Sequence, residues 1–278
     1  MPQIRIYKPD ANKAKTNDKV WVEIDLNTIE QNVMRGRVVE VLGQANTPKA
    51  EQISIIRSFG LVETFEPEVL NCAKAISQEV DIKNFKKRTD FTKQRVITID
   101  GEDARDFDDA IAVERLSNGG YKLYVHIADV SNYVVENSPL DKCAYKRGTS
   151  VYFPNMVIPM LPKEISNGIC SLNGGVDRYA LSCFVTLDKS GTIISSELKK
   201  SIINSKVRGV YAELNDILEN GENSEFYQKY TPVLDSFYEM MELSNKEGLV
   251  STSDLVKANH GIDVEFDQKM DDPEVYKL

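Results

Sequence analysis

Residues 98–110 read Thr-Ile-Asp-Gly-Glu-Asp-Ala-Arg-Asp-Phe-Asp-Asp-Ala. Asp100, Glu102, Asp103, Asp106, Asp108 and Asp109 put six carboxylates within ten residues, answered only by Arg105. Anions this close repel one another, and burial makes each of them costlier. A folded chain keeps such a cluster either in water or around bound cations. Hard oxygen ligands at this density suit Mg²⁺ or Mn²⁺. Asp106 and Asp108 lie two apart and share a face in extended backbone, whereas Asp109 points elsewhere unless the chain turns. The competing reading is a solvated acidic loop. An EF-hand is excluded: counting from Asp106, positions five and six are Ala110 and Ile111 where an acid and a glycine are needed. A lone Asp100-Gly101 is too weak a signal for an aspartic protease.

The flanks decide how such a turn is held. Residues 94–99 read as a strand entering it and residues 110–113 as an apolar run leaving it, so two core strands grip the acidic turn. Residues 109–115 and 121–128 flank Ser117-Asn118-Gly119-Gly120, a hairpin signal. Residues 180–187 and 192–199 flank Asp188-Lys189-Ser190-Gly191, a second one. Upstream, residues 3–7, 19–24 and 34–41 are strand-like, and Val20, Val22 and Ile24 alternate as on a half-buried strand. Residues 50–59, closed by Gly60, and residues 67–76, opened by Pro67, read as helices. Residues 83–93 form a basic, polar connector. Residues 211–218 form a helix closed by Asn220-Gly221. A further helix carries Val233, Phe237, Met240, Met241 and Ser244 and stops at Gly248. His126 sits inside a strand pattern and reads as a hydrogen-bonded core residue, not a catalytic base. Phe107 reads as core, and Glu102 and Asp103 as solvated turn residues.

The acidic turn is followed, in order, by His126-Ile-Ala-Asp-Val-Ser131, Pro139-Leu-Asp141, Tyr145-Lys-Arg-Gly-Thr-Ser-Val-Tyr-Phe-Pro154, Ile158-Pro-Met-Leu-Pro162, Cys170-Ser-Leu-Asn173 and Asp177-Arg-Tyr-Ala-Leu-Ser182. In order and spacing these blocks resemble the RNB catalytic domain of the ribonuclease II and ribonuclease R family, most of all its bacterial ribonuclease R branch. The match runs from about residue 93 to 220. Residues 35–43 resemble the closing part of a cold-shock, oligonucleotide-binding barrel. Such a barrel has five strands, of which three are readable. The resemblance implies an α+β chain: a mixed α/β RNB domain, partial, preceded by part of an OB-type cold-shock β-barrel. The divisions read from sequence are 1–47 for the partial barrel, 48–92 for a helical connector and 93–278 for an RNB domain incomplete at its carboxyl end. Residues 261–266 only faintly resemble the family's continuation, which implies a shortened member.

Asp100, Asp106, Asp108 and Asp109 match the family's four acidic positions. The most economical assignment gives Asp100, Asp106 and Asp109 metal-holding roles, and gives Asp108 the water that attacks a phosphodiester, itself within the metal-binding set. The resemblance makes Tyr152 the aromatic near the scissile end of RNA, where a ring stacks on a base without reading it. Read without the resemblance, Tyr152 is a core tyrosine on the strand at 150–153. Arg178 is a candidate RNA contact, holding either a phosphate or a carboxylate. The implied activity is metal-dependent 3′-to-5′ hydrolysis of single-stranded RNA to 5′-nucleoside monophosphates, with Mg²⁺, or Mn²⁺, as cofactor.

Bulk properties agree in part. At 278 residues, 41% apolar and 28% charged, the chain is an ordinary globular protein. No apolar run is long enough to span a bilayer, and residues 1–5 lack a signal peptide's apolar core. Cys72, Cys143, Cys170 and Cys183 form no CxxC pair, which speaks against a zinc site and for reduced thiols in the cytoplasm. The net charge of −9 is unusual for an RNA-binding protein, which ordinarily carries a basic footprint. Cations at the acidic turn offset part of it, and the acidic stretch from Asp263 onward is a second source. Two rival functions follow: a non-catalytic RNA-binding protein with the same fold, and a structural acidic protein that never meets RNA.

Overall fold

The computed structural model describes residues 3–30, 33–81 and 85–246, which form two compact units. One comprises the chain up to Thr64 with Pro154–Ile158, and the other comprises Phe65–Phe153 with residues 159–246. The helix stop at Gly248, the acidic stretch from Asp263 and the segment 261–266 lie outside the described residues.

In the first unit β1 (Gln3–Ile6) runs parallel to β3 (Val33–Gln44), which pairs antiparallel with β2 (Asp18–Glu30). These are the three strands legible in the sequence. Helix α1 (Pro48–Ser58) follows, with Thr47 as N-cap accepting from the Ala50 amide and proline at its first turn. The short β9 (Met156–Ile158) belongs to this unit.

The second unit is built on a seven-stranded mixed sheet, in the order β12-β5-β6-β7-β10-β11-β4. Its strands are β4 (Thr89–Phe91), β5 (Ile97–Asp100), β6 (Asp109–Arg115), β7 (Tyr121–Ala128), β10 (Asp177–Leu187), β11 (Ile193–Asn204) and β12 (Val207–Val210). Both expected hairpins form, β6–β7 and β10–β11, with Gly119 and Gly191 at positive φ in their turns. Strand alternation sends neighbouring residues to opposite faces, and around β5 and β6 both faces are covered. Ala110 and Ala112 face a core with Val69 and Ala73 of α2 (Pro67–Lys74) and Leu140 of α3 (Pro139–Arg147). Ile97 and Ile111 face a second core with Leu214 and Ile217 of α4 (Tyr211–Asn220), Tyr230 of α5 (Tyr227–Tyr230) and Phe237 and Met241 of α6 (Leu234–Lys246). Helix α3 is started by Ser138, which accepts from the Asp141 amide while the Asp141 carboxylate accepts from the Asn137 amide, a reciprocal cap. A short strand, β8 (Val151–Phe153), and a π-helical turn (Glu164–Ile169) complete the unit.

One boundary differs from the sequence reading. β4 joins the sheet by pairing parallel with β11, Thr89 beside Ser201 and Phe91 beside Ile203, so residues 89–91 belong to the sheet and not to a connector. Three residues carry too little alternation to be read as a strand, and their partner is over a hundred residues away.

His126 behaves as expected of a core residue. It is fully buried on β7, and its Nδ1 shares a 2.6 Å hydrogen bond with the Ser182 hydroxyl of β10, which in turn bonds the Ser201 hydroxyl of β11. Burial, which penalises the cation, pulls its pKa down to about 4. The unfolded chain protonates first as pH falls from the ordinary histidine value near 6.5. His126 therefore contributes stability that is whole above about pH 6.5 and is lost as pH falls toward 4, by ~3 kcal/mol at full effect. Urea melts at stepped pH should show this slope for the parent and a flatter one for His126→Gln. Equal slopes would refute it.

Candidate active site

The acidic turn spans residues 101–108 between the end of β5 and the start of β6. Asp100 is the last residue of β5, with β12 alongside. That approach is close: a Cβ on Gly209 would lie 2.5 Å from the Thr98 carbonyl, so only glycine fits beside the strand that ends in Asp100. Phe107 is buried against the first core. Because it points inward, Asp106 and Asp108 on either side are carried outward on one face, as the two-residue spacing predicts. Asp109 opens β6 opposite Ile127 and is exposed. Glu102 and Asp103 are exposed turn residues.

The backbone of the turn is fixed at several points. The Asp108 carbonyl accepts from the Ala128 amide at 2.9 Å, and the Phe107 carbonyl from the Leu172 amide at 2.9 Å. The buried Ser171 hydroxyl accepts from the Phe107 amide at 3.0 Å and donates to the Arg105 carbonyl at 3.1 Å. It thus clamps both sides of Asp106. Arg208 of β12 reaches across from the other side, donating to the Glu102 carbonyl with its guanidinium carbon 5.4 Å from the Phe107 ring centroid. Neither role was visible in the sequence. Ser171 stood in a recognised block without a task, and Arg208 carried no local signal.

Tyr152 is 67% exposed, and its hydroxyl donates to Asp106 Oδ2 at 3.4 Å. The ring is therefore not core: it stands in solvent beside the acidic turn. Burial, followed by the nearby Asp106, pushes its hydroxyl pKa up, so it stays a donor. Arg178 departs from the expectation of an RNA contact. Its side chain is buried, and its guanidinium donates to the carbonyls of Ser171 (2.9 Å), Asp177 (2.9 Å) and Gly168 (3.3 Å). Three inward-facing carbonyls hold it away from any phosphate, so here it braces the segment that carries Ser171. Cys170 beside it is no nucleophile: burial, then the charge of Asp108, pushes its thiol up to about 12.

The four aspartates share one electrostatic field. Partial burial raises the Asp108 carboxyl above the usual range, and Asp106, Asp109 and Asp100 add to the shift in that order. Asp109 is raised by partial burial and then by Asp100. Both side chains reach solvent, yet the surrounding protein withdraws enough water to matter. Among the described residues no three carboxylate, histidine or cysteine side chains close into a cage for a metal. The carboxylate oxygens gathered here are of the kind that a hard divalent cation takes. A divalent cation would cancel the repulsion that the raised carboxyls record.

Tyr152→Ala supplies a check on the exposed ring. Because the ring is not core, the variant should melt with the parent, while affinity for single-stranded RNA falls by about 1–3 kcal/mol and the length of the limit product changes. Tyr152→Phe should keep most of the affinity. A lowered melting temperature with unchanged RNA binding would instead make Tyr152 structural.

Comparison with known proteins gives two family matches, a cold shock domain over residues 1–66 and an RNB domain over residues 88–270. Ribonuclease R 1 of Lactococcus lactis is 43% identical over 210 residues, 76% of this chain and 26% of the relative. Ribonuclease R of Thermotoga maritima is 44% identical over 233 residues, 83% of this chain and 32% of the relative. Among solved structures, Mycoplasma genitalium RNase R in complex with ribose-methylated single-stranded RNA superposes with a TM-score of 0.78 at 30% identity, covering 88% of this chain and 38% of that one. The chain thus spans about a quarter to a third of the length of these two curated relatives.

Proposed function

This chain belongs to the RNB family, and on that premise we propose that it is a metal-dependent 3′-to-5′ exoribonuclease that hydrolyses single-stranded RNA to 5′-nucleoside monophosphates. The observation that carries the reading is the acidic turn itself: Asp100, Asp106, Asp108 and Asp109 in one field, with the exposed Tyr152 ring bonded to Asp106. Mg²⁺ is the cofactor proposed, with Mn²⁺ able to replace it.

Asp100, Asp106 and Asp109 are the residues that would hold the cations. When bound there, divalent ions make a water acidic enough to react and offset charge on the phosphate oxygens. Asp108, on backbone pinned by Ala128, is the residue that would orient that water and take its proton. The water oxygen bonds to phosphorus as the P–O3′ bond breaks. The terminal nucleotide leaves with its 5′-phosphate, and the shortened RNA keeps a 3′-hydroxyl. Tyr152 stacks on a terminal base and offers no hydrogen-bond readout, so degradation is indifferent to sequence. Ser171, Arg178 and Arg208 do no chemistry; they hold the turn.

The cytoplasm is the compartment proposed, since all four cysteines are free thiols. No helix among the described residues is long and apolar enough to cross a membrane. Incubating the full chain with labelled RNA, with Mg²⁺ and with EDTA, tests the function. Release of label only with Mg²⁺ supports it. Binding without release in either condition would make the chain a non-catalytic RNA-binding protein, and no binding at all a structural one.

A further inference from the structure

We infer that, given cations at the acidic turn as proposed above, Ser171 is the positioning residue that fixes Asp106 for them. It sets how tightly the turn holds the ion and how far it prefers Mg²⁺ to Ca²⁺. Of the four aspartates, Asp100 ends β5 and Asp109 opens β6, so the sheet itself places both. Asp108 continues the β6–β7 ladder, its carbonyl accepting from the Ala128 amide. Asp106 lies inside the turn, beyond both strands. Its neighbours are held from Ser171 instead. One hydroxyl accepts from the Phe107 amide and donates to the Arg105 carbonyl, and so spans Asp106 from both sides. The adjacent Leu172 amide donates to the Phe107 carbonyl at 2.9 Å.

Ser171 can do this because it is itself fixed. It is fully buried, and its carbonyl accepts from the Arg178 guanidinium at 2.9 Å and from the Asn173 amide at 2.7 Å. Arg178 in turn donates to the carbonyls of Gly168 in the π-helical turn and of Asp177 at the start of β10. Asp106 is thus tied to the sheet through Ser171 and Arg178. The tie matters for a cation because carboxylates at close quarters repel one another. An Asp106 with a loose backbone would swing away from the other three before an ion arrives. Pinning prevents that retreat, and binding constellations need to be held within about 0.5 Å of the working geometry. Ions differ in how much they need it. Mg²⁺ is small and demands near-ideal octahedral geometry, whereas Ca²⁺ takes more ligands in a more flexible arrangement. Loosening Asp106 therefore costs Mg²⁺ more than Ca²⁺.

The test counts free Mn²⁺ by its electron paramagnetic resonance signal in titrations of the full 278-residue chain without RNA, with Mg²⁺ and Ca²⁺ as competitors. Groups that orient metal ligands ordinarily contribute about 10–100-fold to affinity, so Ser171→Ala should weaken Mg²⁺ by that factor and Ca²⁺ clearly less. Ser171→Cys keeps a weaker donor and acceptor and should fall between the alanine variant and the parent. It decides alone if the alanine variant does not fold. Ser182→Ala is the control for general loosening: it removes a buried hydroxyl of β10 that bonds His126 and Ser201, and it should bind both ions as the parent does. A parent that leaves Mn²⁺ free, or that binds it equally after Asp106→Asn, would remove the cation from the turn, and with it both the proposed chemistry and the role of Ser171. Where the parent binds Mn²⁺ through Asp106, three results would overturn the role of Ser171 alone: Ser171 variants that hold Mg²⁺ as the parent does, equal losses for Mg²⁺ and Ca²⁺, or the same Mg²⁺ loss in Ser182→Ala.

Discussion

Asp108→Asn is expected to abolish hydrolysis, with a loss of at least about 10²–10⁴-fold in turnover, the range that a positioned proton acceptor supplies. The substitution keeps the shape and removes the charge. Folding should survive it, because the Asp108 carboxyl is already disfavoured as an anion by burial and by Asp106, Asp109 and Asp100. Asparagine relieves that repulsion, so the variant should melt at or above the parent temperature, the pattern of a site that trades stability for activity. RNA binding should be retained or tightened, since one negative charge has left a chain of net charge −9. Single-turnover cleavage and filter binding on the same preparation measure both quantities. Equal cleavage by variant and parent would remove Asp108 from the mechanism.

Arg88→Ala is expected to be the most damaging substitution for stability. The Arg88 and Asp129 side chains are 6% and 4% exposed and pair at 2.7 Å. The same guanidinium donates to Asn132 at 3.0 Å and to the Ser201 carbonyl at 3.4 Å, and it lies 4.0 Å from the Tyr179 ring centroid. It therefore ties the lead-in to β4 to the residues after β7 and to β11. Truncation leaves the Asp129 carboxylate buried without its cation, at a cost of about 3–5 kcal/mol. That is a large share of a typical domain's stability of about 5–15 kcal/mol. Asp129 follows Ala128, the residue that pins the Asp108 carbonyl, so the damage should reach the site as the protein warms. Arg88→Met combined with Asp129→Leu removes both charges and should cost clearly less than Arg88→Ala. Denaturant melts decide: a single-variant loss below about 1 kcal/mol would mean the pair is solvated and weak.

The acidic turn was legible because its charges are so concentrated. Six carboxylates in ten residues cannot be placed arbitrarily, and Phe107 in their midst fixes which of them face out. The hairpins were legible because Ser117–Gly120 and Asp188–Gly191 carry turn residues at turn positions. What escaped was set by distant partners. β4 is a strand only because β11 lies beside it, and Arg88 matters only because Asp129, Asn132 and Ser201 converge on it. Arg178 was legible as important but not in direction, since nothing local announces that three carbonyls will turn inward to meet it. Tyr152 was ambiguous for a different reason. A strand of three residues buries or exposes its middle side chain according to what packs on it, and here that ring remains exposed.

The most direct measurement is a time course on one single-stranded RNA carrying its label at the 5′ end, run with Mg²⁺ for the parent and for Asp108→Asn. The acidic turn, acting at the 3′ end, predicts that the labelled strand shortens progressively in the parent lane. Unlabelled 5′-nucleoside monophosphates should accumulate, and the strand should stay at full length with the variant. Immediate release of labelled mononucleotide, internal fragments without a ladder, or the same ladder from Asp108→Asn would contradict it.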